Sequence, residues 1–156
     1  MMAAAFAWNE TLVELGKLML AYLLALPVGW HREKEAHSVG VRTFPLVAMA
    51  SCGYLMLTMS PGTHSLDAQS RVIQGLVTGI GFIGGGAILK SGANVHGTAT
   101  AASIWTTGLL GAAVAQERFA LAVMLAALNL VALRILLPLK QKLDGRPDNT
   151  GSGDAV

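Results

Sequence analysis

Charged and polar side chains are concentrated at two points of a largely apolar chain. At the first point, Arg32 and Glu33 are followed ten residues later by Arg42 and Thr43. A carboxylate between two arginines can pair with both through their planar guanidinium groups. We therefore expect Arg42 to donate to Glu33 or Glu35. This segment has three possible roles. It is a structural lock that holds two helices together, a surface that recognises a partner or ligand, or a topology anchor whose charges only fix the orientation of the helices in the membrane.

The second point lies between Lys90 and Trp105, where Asn94, Thr98 and Thr100 run into an apolar stretch. Hydrogen-bonding groups in apolar surroundings are costly unless they are paired. These side chains either pair across helices or line a hydrated cavity or re-entrant turn. We expect both points to lie on one side of the protein. The predicted functional polar cluster consists of Arg32, Glu33, Arg42, Thr43, Asn94, Thr98 and Thr100.

Other site chemistry receives little support from the sequence. The run Gly79–Gly84 matches G-x-G-x-x-G, but that motif binds dinucleotides only after a strand and with an acid about 20 residues on. No acid is present in that region. His31, His37 and His96 are loosely spaced, and Cys52 is the only cysteine. We predict no metal site, no cofactor and no enzymatic activity.

The segment 72–89 is the most unusual part of the chain, because it is uncharged and rich in glycine. Glycine costs about 1 kcal/mol relative to alanine inside a soluble helix, whereas in a bilayer it lets helices approach closely. Gly75 with Gly79 and Gly81 with Gly85 form two pairs on different faces. We predict that other helices pack against this helix on more than one side. The predicted packing residues are Gly75, Gly79, Gly81, Gly84, Gly85 and Gly86.

Composition and the spacing of apolar stretches predict a membrane protein. Of the 156 residues, 53% are hydrophobic and 13% are charged, about half the charge of a soluble domain. A bilayer core of about 30 Å needs roughly 20 helical residues. We predict an all-α polytopic membrane protein with a glycine-rich third span. The five expected spans are 12–29, 43–59, 72–89, 98–115 and 119–137, followed by a polar, disordered tail at 138–156.

The predicted fourth span contains mostly alanine, threonine, serine and glycine, and we expect it to lie among the other helices. Lysine and arginine residues are concentrated between spans one and two and after span five. The positive-inside rule therefore places the N-terminus outside and the C-terminus in the cytoplasm. The net charge of +2 is too small to indicate a nucleic-acid partner, so the expected environment is the lipid bilayer.

Four ordered motifs give the chain a family resemblance. They are GWHRE at 29–33, GVRT at 40–43, GIGFIGGG at 79–86 and GANVHGTATAASIW at 92–105. Over roughly 12–137 the chain resembles the MgtC/SapB family of bacterial membrane proteins. His31 stands where that family usually has an acid, so a role of that acid in binding cations does not transfer.

The resemblance implies an inner-membrane protein linked to growth at low magnesium and, in some pathogens, to survival in host cells. It also implies a modulator of other membrane machinery, such as ATP synthase, rather than a magnesium pump. Some relatives carry a soluble C-terminal domain, and we expect no regulation through such a domain here. The alternative is a small transporter or channel for magnesium or another cation. A membrane-protein partner and a homo-oligomer both remain open.

Overall fold

A computed structural model describes residues 8–36, 40–59, 65–91 and 94–143 of the chain. These residues form five helices and one short β-hairpin. The helices are α1 (Trp8–Ala36), α2 (Thr43–Leu57), α3 (Leu66–Gly86), α4 (Thr98–Ala115) and α5 (Phe119–Leu143), and the strands are β1 (Leu89–Ser91) and β2 (Asn94–His96).

The five helices correspond in order to the five predicted apolar stretches, with differences at their ends. α4 has the predicted bounds, while α1 is longer at both ends. α5 continues through Pro138 to Leu143, so the first six residues of the polar segment 138–156 are helical. Residues 144–156 lie outside the described part. The all-α fold class is confirmed, and the short hairpin between α3 and α4 is an addition that the sequence did not indicate.

Two of the helices are long and apolar enough to cross a bilayer. They are α1, over Trp8–Lys34, and α4. α2 and the first part of α5, Phe119–Ile135, are apolar but shorter. α3 is not among these helices, because its first turns are polar and its glycines add little hydropathy.

α4 is the centre of the bundle and packs against the other four helices. Ten of its eighteen residues are buried, which confirms that the helix with the smallest side chains lies among the others. Gly111 faces the backbone of Ala48 in α2, and a Cβ at Gly111 would overlap the Ala48 carbonyl. Gly108 lies against the side chain of Ile80 in α3. Glycines of α4 therefore bring α2 and α3 close to the centre of the bundle.

The hairpin joins α3 to α4 through two antiparallel strands, with Lys90 opposite Val95. Gly97 follows β2 and has a φ of 87°, in the left-handed region that glycine occupies without strain. A side chain at this position would also collide with the Ala87 carbonyl. Gly97 thus lets the chain turn directly from the hairpin into α4.

α3 lies at the edge of the bundle, where it contacts α4 and, less extensively, α2. The Ser65 hydroxyl caps its N-terminus by accepting the Ala68 N–H at 3.4 Å. Of its 21 residues, Ile80 and Gly84 are buried. Within the described residues, the glycine-rich helix therefore has fewer buried residues than any of the other four helices.

Candidate functional site

Arg32 and Thr100, two members of the predicted polar cluster, meet inside the bundle. Arg32 lies near the end of α1 and is only 6% exposed. Its guanidinium Nη2 donates to the hydroxyl of Thr100, which is also buried in the first turn of α4. A charged side chain buried among apolar helices is costly unless its donors are used. The contact joins α1 to α4 at the end of the bundle where α1 ends and α2 begins.

Glu33 makes a different contact from the predicted one. Its carboxylate Oε2 accepts the backbone N–H of Val41 at 3.0 Å, just before α2 begins. The approach is close because Gly29 and Gly40 carry no side chain: a Cβ at Gly40 would overlap Glu33. A carboxylate at a helix N-terminus also interacts favourably with the helix dipole. The lock between α1 and α2 therefore uses a backbone donor.

The predicted ion pair between Arg42 and Glu33 is not formed. Arg42 is exposed at the N-cap position of α2, and in the described part of the chain its guanidinium has no carboxylate within 4.0 Å. Thr43 is the half-buried first residue of α2, and Thr98 is the exposed first residue of α4. Asn94 begins β2 opposite Ser91, and its functional role stays a prediction.

A further polar group, which the sequence did not single out, lies deeper in the bundle. Asn129 of α5 is 7% exposed. Its Oδ1 accepts from the Ser103 hydroxyl at 2.7 Å, and its Nδ2 donates to the Ser103 carbonyl at 3.2 Å. The Thr107 hydroxyl donates to the same carbonyl at 2.8 Å. The available sequence signal was a lone asparagine within the apolar segment Phe119–Ile135, a position where polar residues commonly bond across helices.

Together these side chains form a row from the end of the bundle to its middle. Thr100, Ser103 and Thr107 share one face of α4 because they are three and four residues apart. α1 contributes an arginine to this row and α5 an asparagine. We call the set Arg32, Thr100, Ser103, Thr107 and Asn129 the buried polar line.

The α3 glycines make few contacts within the chain. Gly84 approaches α4, and a Cβ at Gly84 would lie 3.4 Å from the Ala101 carbonyl oxygen. The other five predicted packing glycines have no atom within 4 Å of a Cβ position. Phe82, which lies among them, is 85% exposed. Contact of these five glycines with another helix therefore stays a prediction about something outside this chain.

An ion pair closes the opposite end of the bundle. Lys17 of α1 lies 2.8 Å from Glu117 in the turn between α4 and α5, instead of pairing with Glu14 one turn away. This hydrogen bond and the positive charge of Lys17 hold the pKa of the Glu117 carboxyl below its usual range. Glu117 also has a φ of 59°, so the pair fixes a strained turn residue.

Within the described residues, no three His, Cys, Asp or Glu side chains converge to form a group that could hold a metal ion. His37, one of the three histidines considered from the sequence, lies outside that part. The glycines 79–84 lie inside the C-terminal half of α3, not in the strand-to-helix turn that a dinucleotide-binding motif requires.

Comparisons with known proteins match the chain to one family. The model of the MgtC family matches residues 18–142. SrpB of Synechococcus elongatus is 38% identical over 110 residues, which are 63% of this chain and 60% of that protein. MgtC of Salmonella typhimurium is 32% identical over 130 residues, 83% of this chain and 55% of that protein. The "putative magnesium transporter" YhiD of Escherichia coli is 30% identical over 134 residues, 81% of this chain and 62% of that protein.

The chain thus spans between about half and two thirds of the length of these relatives. No solved structure is significantly similar to it. The family match covers α2, α3 and α4 completely, most of α1 and α5, and both segments of the predicted polar cluster. The chain therefore belongs to the MgtC family.

Proposed function

We propose that this chain is a non-enzymatic inner-membrane protein that modulates a partner membrane protein through helix contact. In this proposal the five helices cross the membrane, with the N-terminus outside and the C-terminus in the cytoplasm. The physiological setting, taken from the family resemblance, is growth at low magnesium and the energetics of the membrane.

The observation that carries the proposal is the open glycine surface of α3. Five glycines of this helix have nothing within 4 Å of a Cβ position, although glycine is an unfavourable helix residue. Lipid chains do not require a glycine surface, whereas closely packed transmembrane helices do. Gly81 and Gly85 are four residues apart and share a face with Gln74, whose exposed amide offers hydrogen bonds to a neighbouring helix. This face suits a transmembrane helix of another protein.

The family resemblance suggests a membrane subunit of ATP synthase as the partner. The test is a photo-crosslinking amino acid at Phe82, in the full chain expressed in native membranes, with mass spectrometry of the products. We expect a crosslink to a membrane protein, and Gly81→Leu with Gly85→Leu should abolish it. The matched control places the crosslinker at Leu128 of α5, which is also exposed, and should yield no specific protein.

Recovery of the same products from both positions, or of lipid alone from Phe82, would contradict the modulator proposal. A crosslink to a second copy of this chain would show that the α3 surface forms a homo-oligomer and does not bind another protein. Either result is separable from misfolding, because neither crosslinker position is buried.

A second candidate function is transport of magnesium or another cation. The buried polar line favours it, since intramembrane polar and ionisable groups commonly mark ion pathways, and YhiD is named as a transporter. Reconstitution of the purified chain into pure lipid vesicles separates the two functions. Flux of magnesium or protons that Asn129→Leu removes would support transport and contradict the modulator.

A further inference from the structure

A cleft lies between α2 and α3 on the outer surface of the bundle. It has a volume of about 660 Å³ and is lined by apolar side chains and glycines, apart from Thr43, Ser51 and Tyr54. This volume is within the range of about 300–1,000 Å³ that is usual for small-molecule sites. The cleft is on a different face of α3 from Gly81 and Gly85, which are not among its lining residues.

The missing side chains of α3 are the reason that the cleft exists. α2 and α3 both pack on α4, and they contact each other only weakly. Gly75 and Gly79 form part of the α3 wall, and neither has an atom within 4 Å of a Cβ position. Leucine at either position would project into the cleft. The cleft is therefore a consequence of the glycine spacing.

We propose that this cleft holds an acyl chain of an anionic phospholipid from the cytoplasmic leaflet, with the lipid phosphate at Arg42. The inference rests on the membrane orientation given under the proposed function. The length of the cleft supports an acyl chain. Its α2 wall runs from Thr43 to Tyr54, about 17 Å at 1.5 Å per residue, which is close to one leaflet of a hydrocarbon core about 30 Å thick.

The charge at one end of the cleft supports an anionic headgroup. Thr43 is the first lining residue, and Arg42 precedes it, exposed and without a carboxylate partner in the described part of the chain. Glu33, the predicted partner of Arg42, is engaged with the Val41 N–H. Lys90 is exposed just beyond the end of α3, which lies at the same end of the antiparallel helix pair. Basic sites between helices at the cytoplasmic side bind anionic lipid headgroups.

A transmembrane helix fits this cleft less well than a lipid chain. A helix from a second copy is about 10–12 Å wide with its side chains and would contact the surface over the whole bilayer. The cleft is about 17 Å long, from Thr43 to Tyr54, so a helix that crosses the whole bilayer would extend well beyond it. A second copy seated in the cleft is therefore an alternative outcome of the test.

The test is native mass spectrometry of the full chain released from nanodiscs that contain equal amounts of phosphatidylglycerol and phosphatidylcholine. We expect the chain to retain phosphatidylglycerol. Gly79→Leu and, from the α2 wall, Ala50→Leu should each abolish retention by filling the cleft. Arg42→Gln should reduce the preference for phosphatidylglycerol about fivefold, the effect of one basic residue at an anionic surface.

Two matched controls make the result specific. Gly81→Leu introduces the same side chain on the other face of α3, and Arg134→Gln removes an exposed arginine from α5. Both should retain lipid like the parent chain. Retention unchanged in both cleft-filling variants, or a second copy in place of the lipid, would overturn the proposal.

The lipid inference can fail separately from the modulator proposal. A Phe82 crosslink that persists in Gly79→Leu, together with unchanged lipid retention, would sink the lipid site alone. If the crosslinker at Phe82 captures no membrane protein but lipid retention is as expected, only the partner contact is contradicted.

Discussion

Ser51 and Ser103 are both buried serines, but only one uses its hydroxyl. Ser103 donates to Asn129 at 2.7 Å, whereas the Ser51 hydroxyl has no hydrogen-bond partner in the described part of the chain. A buried hydroxyl without a hydrogen-bond partner lowers stability by about 1–3 kcal/mol. Removing one member of a buried hydrogen-bonded pair has the same effect, because the other member is left without a partner.

Ser51→Ala should therefore leave the free energy of unfolding unchanged or raise it by about 1 kcal/mol, and Ser103→Ala should lower it by about 1–3 kcal/mol. Denaturant unfolding in detergent micelles measures both values. An equal loss in the two variants would show that Ser51 has a partner that matters.

Replacing Arg32 and replacing Arg42 should also change the free energy of unfolding by different amounts, although the sequence assigned both residues to one polar cluster. Arg32→Ala removes a buried side chain and leaves the Thr100 hydroxyl without its donor, so we expect a loss of about 1–3 kcal/mol. Arg42→Ala removes an exposed side chain and should change stability by less than about 0.5 kcal/mol. Denaturant unfolding of both variants measures the difference. If the Arg42 variant is as unstable as the Arg32 variant, the structural lock depends on Arg42 after all.

At the scale of the helices, glycines of α4 and α3 should respond in opposite ways. Gly111→Ala places a methyl group against the Ala48 carbonyl and must push α2 away from α4. We expect it to prevent folding or to lower stability by more than about 3 kcal/mol. Gly81→Ala meets nothing within 4 Å and should leave the isolated chain as stable or slightly more stable, because alanine favours a helix.

Thermal unfolding of the two purified variants checks this contrast. A destabilised Gly81→Ala chain in detergent would mean that α3 packs within the chain more tightly than the structure has it. A Gly111→Ala variant with the thermal stability of the parent would contradict the close packing of α2 against α4 at the centre of the bundle.

The turn between α4 and α5 carries a pH-dependent contact. Lys17 lowers the pKa of Glu117 in the folded chain, so the folded state binds the proton less readily than the unfolded state. The pair's stabilisation is therefore present above the ordinary pKa of a glutamate and is lost as the pH falls through the lowered folded-state pKa.

Glu117→Gln tests this contact because it keeps the shape of the residue and removes the charge. We expect the variant to have a lower Tm than the parent at about pH 7, by a small amount because Glu117 is exposed. The difference should become smaller at an acidic pH below the ordinary range of a glutamate, because the Glu117 carboxyl of the parent takes up a proton as the pH falls through its lowered folded-state pKa. A Tm difference that is the same at both pH values would show that the charge is not the cause.

At the scale of the whole molecule, the predicted membrane orientation has a direct test. Reporter fusions after Lys142 should be cytoplasmic and fusions at the N-terminus external, because basic residues are concentrated around the α1–α2 connection and at the C-terminal end of α5. Both termini on one side would refute five crossings. α3 would then be the first helix to reconsider, since it is not among the helices that are apolar by length and composition.

The sequence by itself determined the number, order and approximate bounds of the helices, as well as the family. Apolar stretches of bilayer length, separated by short polar segments, leave little freedom in where helices begin. The small side chains of α4 also predicted its central position, because only small residues allow four neighbours to approach. The expectation that two polar segments lie on one side of the protein did not specify the contact of Arg32 with Thr100.

Only the tertiary structure decided which partners these residues have. Glu33 accepts the Val41 N–H and is not paired with Arg42. Gly29 and Gly40 have no side chains, so the backbone before α2 can lie next to the Glu33 carboxylate. Asn129 of α5 accepts a hydrogen bond from Ser103 of α4, a contact that depends on how these two helices pack. The α3 glycines are mostly open, while Gly111 of α4 makes the close contact. Pattern along a chain defines the faces of a helix, but what lies against each face is decided by how all five helices pack together.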